Sequence, residues 1–287
     1  MGENQYGRKY RIIIGHNAIK IEDFDIEFEI TQTLTPEPNN ADITVYGLDK
    51  KTISSIIDAE TPPLIFSVGY ENTAGIVFIG DARDCYAEET DTENILYINS
   101  GDHENNIRTK RINKTYRAGT SVQTVISDLI KILDLQSGNI GTKYSALRLT
   151  EGSNQYVNGL TLNGNASTCL KNVLRSCNLS YSVQNKELLA LKVKEGLTEN
   201  PTVFISSVVG NPVIGSDNTL RAKTLLDPRI KPGILLSVEG NIIKGEHIRH
   251  YGATAPQQNW YTEFEGRLVS GKSLTDTRNI YTTLGTT

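Results

Sequence analysis

The chain has 287 residues, of which 38% are hydrophobic and 22% charged, enough for about two domains with cores of their own. Its 29 basic and 33 acidic residues give a formal net charge of −4, which argues against a protein whose main work is to hold nucleic-acid phosphates. The sequence has no apolar run of the ~20 residues that cross a bilayer and no signal-peptide core at its start. We therefore expect no membrane insertion and no export.

Short segments typical of β-strands fill the first hundred residues. Residues 10–14 and 18–21 flank a Gly-His-Asn turn, which predicts a hairpin. Over residues 23–30 apolar and acidic residues alternate, so a strand there would have one apolar and one acidic face. The apolar set is Phe24, Ile26, Phe28 and Ile30, and the acidic set is Asp23, Asp25, Glu27 and Glu29.

More β segments and one short helix follow before residue 105. Asp49 is placed to cap a helix over residues 50–59, which carries three isoleucines on one face. The predicted strands are residues 43–47, 64–70, 76–86 and 95–100.

The pattern changes near Asn105, where helical spacing replaces alternation. Thr120 or Ser121 can cap a helix whose apolar residues recur every 3.6 positions up to Leu133, and a second helix is predicted over residues 166–177. Residues 179–183 and 188–193 then read as a hairpin. We predict a middle α+β domain over residues 106–198, between an N-terminal β domain (1–105) and a C-terminal β domain (199–287).

The last ninety residues contain an echo of the first hundred. Residues 62–68 (PPLIFSV) match residues 232–238 (PGILLSV) at a constant offset of 170, and a Leu-Asp pair precedes each segment. The predicted strands here are residues 203–208, 220–226, 234–238, 242–249 and 260–269. The match suggests two related β domains, one at each end of the chain.

Motifs for catalysis and metal binding are weak. Residues 266–273 satisfy the phosphate-loop pattern G-x-x-x-x-G-K-[ST], but only fourteen residues follow them, too few for a nucleotide-binding domain. His247 and His250 would face opposite sides of a strand, which disfavours a zinc site. Asp84, Glu88 and Glu89 could supply the pair of carboxylates that glycoside hydrolysis needs, but any β-rich surface offers such pairs. We predict no enzyme, no metal and no cofactor.

Charge is unevenly distributed in the middle of the chain. Residues 81–104 hold eight acidic residues and one basic residue, and residues 107–117 hold five basic residues and no acidic one. Two solvated faces would explain the pattern, as would complementary contacts between subunits. The candidate inter-subunit residues are Arg108, Lys110, Arg111, Lys114 and Arg117.

The order of these segments resembles the baseplate hub proteins of contractile-tailed bacteriophages and related injection devices, including phage late-control tail proteins. The resemblance rests on the opening hairpin, on ITVYGL at 43–48, on FSVGY at 66–70 with IGD at 79–81, and above all on LLDPRIKPG at 225–233. It extends over nearly the whole chain. It implies two tail-tube-like β-barrel domains that flank the middle α+β region.

The resemblance further implies a homotrimer whose six β domains form a ring. Such a ring would bind tail tube protein on one side, spike protein on the other, and further baseplate proteins, with DNA only as passing cargo. From the alternating strand we hypothesise that Asp23, Asp25, Glu27 and Glu29 line the channel, where carboxylates would repel DNA phosphates. The competing hypotheses are a tail-associated peptidoglycan hydrolase and a carbohydrate-binding module.

Overall fold

The computed structural model describes residues 7–102, 104–144, 147–193, 195–255 and 259–270. The protein is mainly β with an α+β middle region, as predicted, and most of its strands belong to one large, mostly antiparallel sheet. Within the described ranges, no helix is both long and apolar enough to span a membrane.

The elements fall into three groups along the chain. The first group is β1 (Arg8–Ile14), β2 (Ile19–Ile21), β3 (Asp25–Thr33), β4 (Asn40–Tyr46), α1 (Lys50–Ile57), β5 (Pro63–Tyr70), β6 (Gly75–Glu89) and β7 (Asn94–Gly101). The middle group is α2 (Glu104–Thr109), β8 (Arg111–Tyr116), β9 (Thr120–Ser121), α3 (Val122–Ile132), α4 (Ile140–Lys143), β10 (Gln155–Tyr156), β11 (Leu160–Asn165), α5 (Ala166–Ser176), β12 (Ser180–Gln184) and β13 (Glu187–Leu191). The last group is β14 (Val203–Ile205), β15 (Val213–Ile214), β16 (Thr219–Leu225), β17 (Leu235–Val238), β18 (Asn241–Ala253) and β19 (Trp260–Ser270).

The helices begin where side-chain caps are available. The Asp49 carboxylate accepts the backbone N–H of Thr52 at 3.0 Å, and the Ser121 hydroxyl accepts that of Thr124 at 3.1 Å. The sequence predicts the Asp49 cap, and it offers Thr120 or Ser121 for the second helix, of which Ser121 is the cap. Asp and Ser side chains satisfy N–H groups that the first helical turn leaves unpaired. Asn165 caps α5 in the same way.

The large sheet joins the two ends of the chain. Its strand order is β15-β16-β19-β18-β3-β4-β7-β6-β5-β1-β2, with β17 and β14 attached beside β18. The link is the antiparallel pairing of β3 with β18, which runs from Thr33 opposite His247 to Glu27 opposite Ala253. We call this pairing the β3–β18 seam.

The echo in the sequence coincides with a repeat in strand pairing. In the first module (residues 40–101) β5 pairs with β6, β6 with β7 and β7 with β4. In the second module (residues 219–270) β17 pairs with β18, β18 with β19 and β19 with β16. The two matching segments overlap β5 and β17, which hold equivalent places in the pairing order. The domain boundaries after residues 105 and 198 stay a prediction.

Three hydrophobic clusters lie in these regions. One is in the middle region, between α3, α5 and the β12–β13 hairpin. A second lies under β1–β7 and includes Trp260 from β19, and a third lies within the last group of strands. Because Trp260 packs into the cluster of the first group, the β3–β18 seam is buried as well as hydrogen-bonded.

One expectation about the alternating strand is wrong. Phe24 was expected to be buried, but 36% of it is exposed, and the strand begins only at Asp25. Asp23 adopts φ 64°, a left-handed conformation that interrupts an extended strand. The Tyr10 hydroxyl then donates to the Phe24 carbonyl at 2.6 Å and fixes this turn. Ile26, Phe28 and Ile30 are buried as predicted.

Candidate assembly surface

One face of the sheet is buried and the other is exposed across seven adjacent strands. We call the exposed face of β16, β19, β18, β3, β4, β7 and β6 the open face. Along each strand the residues of the open face alternate with core residues, such as Ile43 and Val45 in β4 or Leu96 and Ile98 in β7. Partner residues on neighbouring strands lie side by side, so the register shows which charges meet.

Three of the four predicted acidic residues lie on the open face. Asp25, Glu27 and Glu29 are exposed on β3 and lie opposite Tyr46, Thr44 and Asp42 of β4. Asp23 precedes the strand. Glu27, Glu29 and Asp42 line a shallow groove of about 330 Å³ at the β3–β18 seam.

A basic residue of the neighbouring strand β18 contacts the acidic row of β3. Arg249 of β18 donates two hydrogen bonds to the Glu29 carboxylate, at 2.8 Å and 2.6 Å, and a third to Glu263 at 3.3 Å. This bidentate contact lowers the pKa of Glu29. The Asp25 carboxylate accepts a hydrogen bond from the Thr254 hydroxyl at 3.0 Å. One carboxylate in the predicted row is therefore neutralised by a cation across the seam.

At the β6 end, the open face is acidic and aromatic. The rings of Tyr86 and Tyr97 stack at 4.8 Å, and burial together with the Glu88 carboxylate raises the pKa of Tyr97. Asp84 and Glu88 lie on the same face of β6 as Tyr86, whereas Glu89 binds Lys50 of α1 at 2.6 Å. Of the three carboxylates considered for glycoside hydrolysis, two therefore lie on the open face and the third lies beside α1.

At the β16 end, the open face carries basic residues that the sequence analysis did not single out. Arg221 pairs with Glu265 at 2.8 Å, and Lys223 approaches Glu263 at 3.7 Å. The sequence does contain a pattern that could have identified them, since these two cations alternate with Leu220, Ala222 and Thr224 along β16. The open face therefore runs from an acidic end at β6 to an end at β16 where cations and carboxylates alternate.

The basic block of the middle region lies apart from the open face. Lys110, Arg111 and Arg117 are exposed, and Arg108 lies on α2. Lys114 pairs with Asp128 at 2.6 Å within the chain and lowers its pKa. The Lys114 ammonium also lies 4.9 Å from the centre of the Tyr116 ring.

The acidic block is partly used inside the chain. Asp81 pairs with Lys186 at 3.1 Å. Asp102 is fully buried, and its carboxylate accepts the backbone N–H groups of Asn185 and Lys186 at 2.7 Å and 3.1 Å. These two residues form the β12–β13 turn, both with positive φ, as a two-residue type I′ turn requires. We call this contact the Asp102 dock; it ties the middle region to the sheet.

The two histidines differ as predicted. His247 is exposed and His250 is fully buried. The His250 Nδ1 lies 2.8 Å from the Thr262 hydroxyl, and burial lowers the imidazole pKa to about 4. Among the described residues, no group of three or more His, Cys, Asp or Glu side chains is placed to hold a metal ion. Of the phosphate-loop pattern, residues 266–270 end β19, and Gly271, Lys272 and Ser273 lie outside the described residues.

A hydrolase of the type considered above needs two converging carboxylates. A cleft of about 620 Å³ lies between the sheet, the middle region and the loop before β17. Glu187 is the one carboxylate among its described lining residues, and Lys231, whose pKa burial lowers, also lines the cleft. This cleft does not supply the required pair.

Comparison with known proteins relates this architecture to phage tails. No family model and no curated protein sequence matches the chain. Among solved structures, it is similar to the tail protein from Neisseria meningitidis, with a TM-score of 0.61 and 8% identity over 91% of this chain and 96% of that one. It is equally similar to the 43 kDa tail protein of prophage MuSo2 from Shewanella oneidensis, with a TM-score of 0.61 and 8% identity over 91% and 98% of the two chains.

A secretion-system protein gives a further match. It is an Escherichia coli component of the type VI secretion system, described as structurally similar to the T4 bacteriophage tail proteins gp27 and gp5. Its TM-score is 0.53, with 12% identity over 86% of this chain and 74% of that one. The protein therefore has the fold of phage tail proteins and of this gp27- and gp5-like component.

Proposed function

We propose that the protein is a structural, non-enzymatic hub of a contractile phage or phage-like tail, located in the baseplate of the virion. The observation that carries the proposal is the repeated module. Two β modules with the same strand pairing share one sheet, in a chain with the fold of phage tail proteins.

A repeated module suits a symmetry adaptor. Three copies of a two-module chain present six similar modules, so one face of the ring can match a six-fold tube and the other a three-fold spike. The proposed partners are accordingly two further copies of the chain, the tail tube protein, the spike protein and neighbouring baseplate proteins. Closed, symmetric rings are a common form of homo-oligomer.

The open face is the proposed lining of the DNA conduit. Asp25, Glu27 and Glu29 would face the passing DNA, with Asp23 beside them at the strand entry. Carboxylates do not bind phosphates, so DNA would slide past without being retained. The Glu29–Arg249 pair keeps part of this lining neutral.

Native mass spectrometry and electron microscopy of the purified chain test the hub. The expected result is a particle of about three times the 31.7 kDa chain mass, seen as a ring with a central channel and able to bind the spike protein. A chain that remains monomeric, with and without the spike, contradicts the proposal.

A lysine variant tests the lining. Replacing Asp23, Asp25, Glu27 and Glu29 with lysine should slow DNA ejection from assembled particles, since each new cation binds a phosphate. The matched control places lysines at the exposed residues Asp58, Glu60, Glu151 and Glu199. Normal ejection by the assembled lining variant would exclude the acidic-channel hypothesis.

The basic block gives a separate hypothesis about subunit contacts. If Arg108, Lys110, Arg111, Lys114 and Arg117 meet an acidic surface of a neighbouring subunit, reversing Arg108, Lys110 and Arg111 to glutamate should weaken the ring, as should high salt. An unchanged oligomer mass in both experiments would leave these residues as ordinary surface.

A further inference from the structure

The two modules differ in what pairs with the later part of their long hairpin strand, which is β6 in the first module and β18 in the second. In the second module, the first part of β18 pairs with β17, and its later part, from His247 to Ala253, pairs with β3. In the first module, β6 pairs with β5 up to Asp81. The Ala82 N–H still donates to the Pro62 carbonyl at 2.8 Å, and the later part of β6, residues 83–89, pairs with β7 alone in the described part of the chain. The position that β3 occupies beside β18 is therefore open beside β6.

The strand equivalent to β3 is also open on one side. β3 pairs with β4 of the first module, and β15 pairs with β16 of the second module in the same place. The other edge of β3 pairs with β18, whereas no described strand pairs with the other edge of β15. Among the described residues, the sheet therefore has one open edge along the later part of β6 and another at β15, in equivalent positions of the two modules.

We propose that the exposed edge of β6 (residues 83–89) binds the β15 edge of a second copy, and that this contact repeats the β3–β18 seam between subunits. The inference rests on the proposed ring and assigns its subunit contact. It is a head-to-tail contact, in which one surface meets a different surface of the next copy, and such contacts close into rings when the rotation allows. The open edge of β6 spans residues 83–89, and β15 spans Val213–Ile214. Exposed strand edges readily pair with another chain.

Charge at the two edges is complementary. Asp84 and Glu88 stand on the open face at the β6 edge, and Arg221 and Lys223 stand on it beside β15. The same device operates within the chain, where Glu29 of β3 binds Arg249 of β18. Opposed charges of this kind fix the register of a contact and its partner.

Exposed apolar side chains occur at both edges. Tyr86 of β6 is 48% exposed, and Val213 of β15 is 61% exposed. Val209, in the loop before β15, is also an exposed apolar residue. A strand contact between copies would cover all three and would leave the charged residues at its rim, the usual arrangement of a protein interface.

The test is charge reversal with rescue, measured on the full chain by sedimentation and native mass spectrometry. The variant pairs Asp84→Lys with Glu88→Lys, and Arg221→Glu with Lys223→Glu, should each lower the association constant by about tenfold or more. Combining all four changes should restore most of it, because opposite charges face each other again. Glu151→Lys with Glu199→Lys, on exposed residues elsewhere, is the charge-matched control and should leave association unchanged.

A further variant avoids disturbing the ion pairs of Arg221 and Lys223 within the chain. Val213→Asp removes an exposed apolar side chain and adds a carboxylate opposite the acidic edge, so it too should weaken association. A trimer that survives every edge variant overturns the inferred contact and leaves the proposed hub standing. A folded four-fold variant that regains no association, or a wild-type chain that does not self-associate, also overturns it; the hub itself is then judged by imaging with the spike.

Discussion

Two of the junctions between regions of the protein are built differently. The β3–β18 seam joins the modules through a run of paired backbone residues, with Phe28 and Trp260 packed beneath it. The Asp102 dock is one of several contacts between the middle region and the sheet, and it consists of one buried carboxylate and a two-residue turn. Many contacts stabilise the seam, whereas a few buried polar groups stabilise the dock. The effects of single substitutions on the free energy of unfolding should therefore differ between the two junctions.

Truncating the aromatic core under the seam should have the largest effect. Trp260 is 2% exposed, its ring centre lies 5.1 Å from that of Phe28, and its indole N–H donates to the Gly69 carbonyl at 3.3 Å. Trp260→Ala should lower the free energy of unfolding by about 4 kcal/mol, measured by urea denaturation with circular dichroism. Phe204→Ala, at an exposed aromatic residue of β14, should cost no more than about 1 kcal/mol. Similar losses in the two variants would contradict the claim that the aromatic core beneath the seam stabilises the fold.

The Asp102 dock should be the next most sensitive. Asp102→Asn keeps the shape but turns one acceptor into a donor that faces a backbone N–H, and it removes charge from two hydrogen bonds. We expect a loss of about 3 kcal/mol and faster hydrogen exchange at the Asn185 and Lys186 amides. Asp91→Asn, in an exposed turn, is the control. Unchanged exchange at the turn would show that the dock depends on other contacts.

Acid should weaken the seam through His250. Its pKa is lowered to about 4, from 6.5, by burial, so between these values the unfolded chain binds more protons than the folded chain. Stability should therefore fall as the pH drops from 6.5 toward 4, by about 2 kcal/mol at pH 5 from this group. Two charged groups act on the His250 imidazole: Asp227 favours its protonation, and Lys231 opposes it.

A comparison of two variants isolates this effect. His250→Gln should remove most of the pH dependence between 6.5 and 5, and His247→Gln, on the exposed face, should retain it. The measurement is the urea midpoint as a function of pH. Parallel pH profiles for wild type and His250→Gln would assign the acid sensitivity to other groups.

The smallest expected effect is at the ion pair that crosses the seam. Glu29→Gln should lower the free energy of unfolding by less than about 1 kcal/mol, because the pair is exposed and screened. Raising the salt concentration should reduce even this difference. A loss as large as that of Asp102→Asn would mean that the seam, like the dock, depends on one charged group.

Local patterns predicted most of the elements but not the junctions. Alternation placed Ile26, Phe28 and Ile30 in the core correctly, and Asp49 and Ser121 cap their helices as expected. The error at Phe24 arose because alternation alone does not show where a strand starts, and Asp23 turns the chain just before it.

The contacts that were missed join residues far apart in sequence. Asp102 appeared only as one member of an acidic run, because its partners, Asn185 and Lys186, are 83 and 84 residues away. Glu29 and Arg249 are 220 residues apart. Neither pair leaves a local signal, so the acidic face was expected to be uniform and the middle region had no predicted attachment.

Trp260 has one more consequence, because it is the sole tryptophan of the chain. It lies where β19 meets the core of the first group of strands, and a side chain at Gly252 would come within 2.7 Å of its ring. The indole is thus a built-in optical probe of this one location. Fluorescence excited at tryptophan wavelengths follows the joining of the two modules, separately from the melting of the middle region.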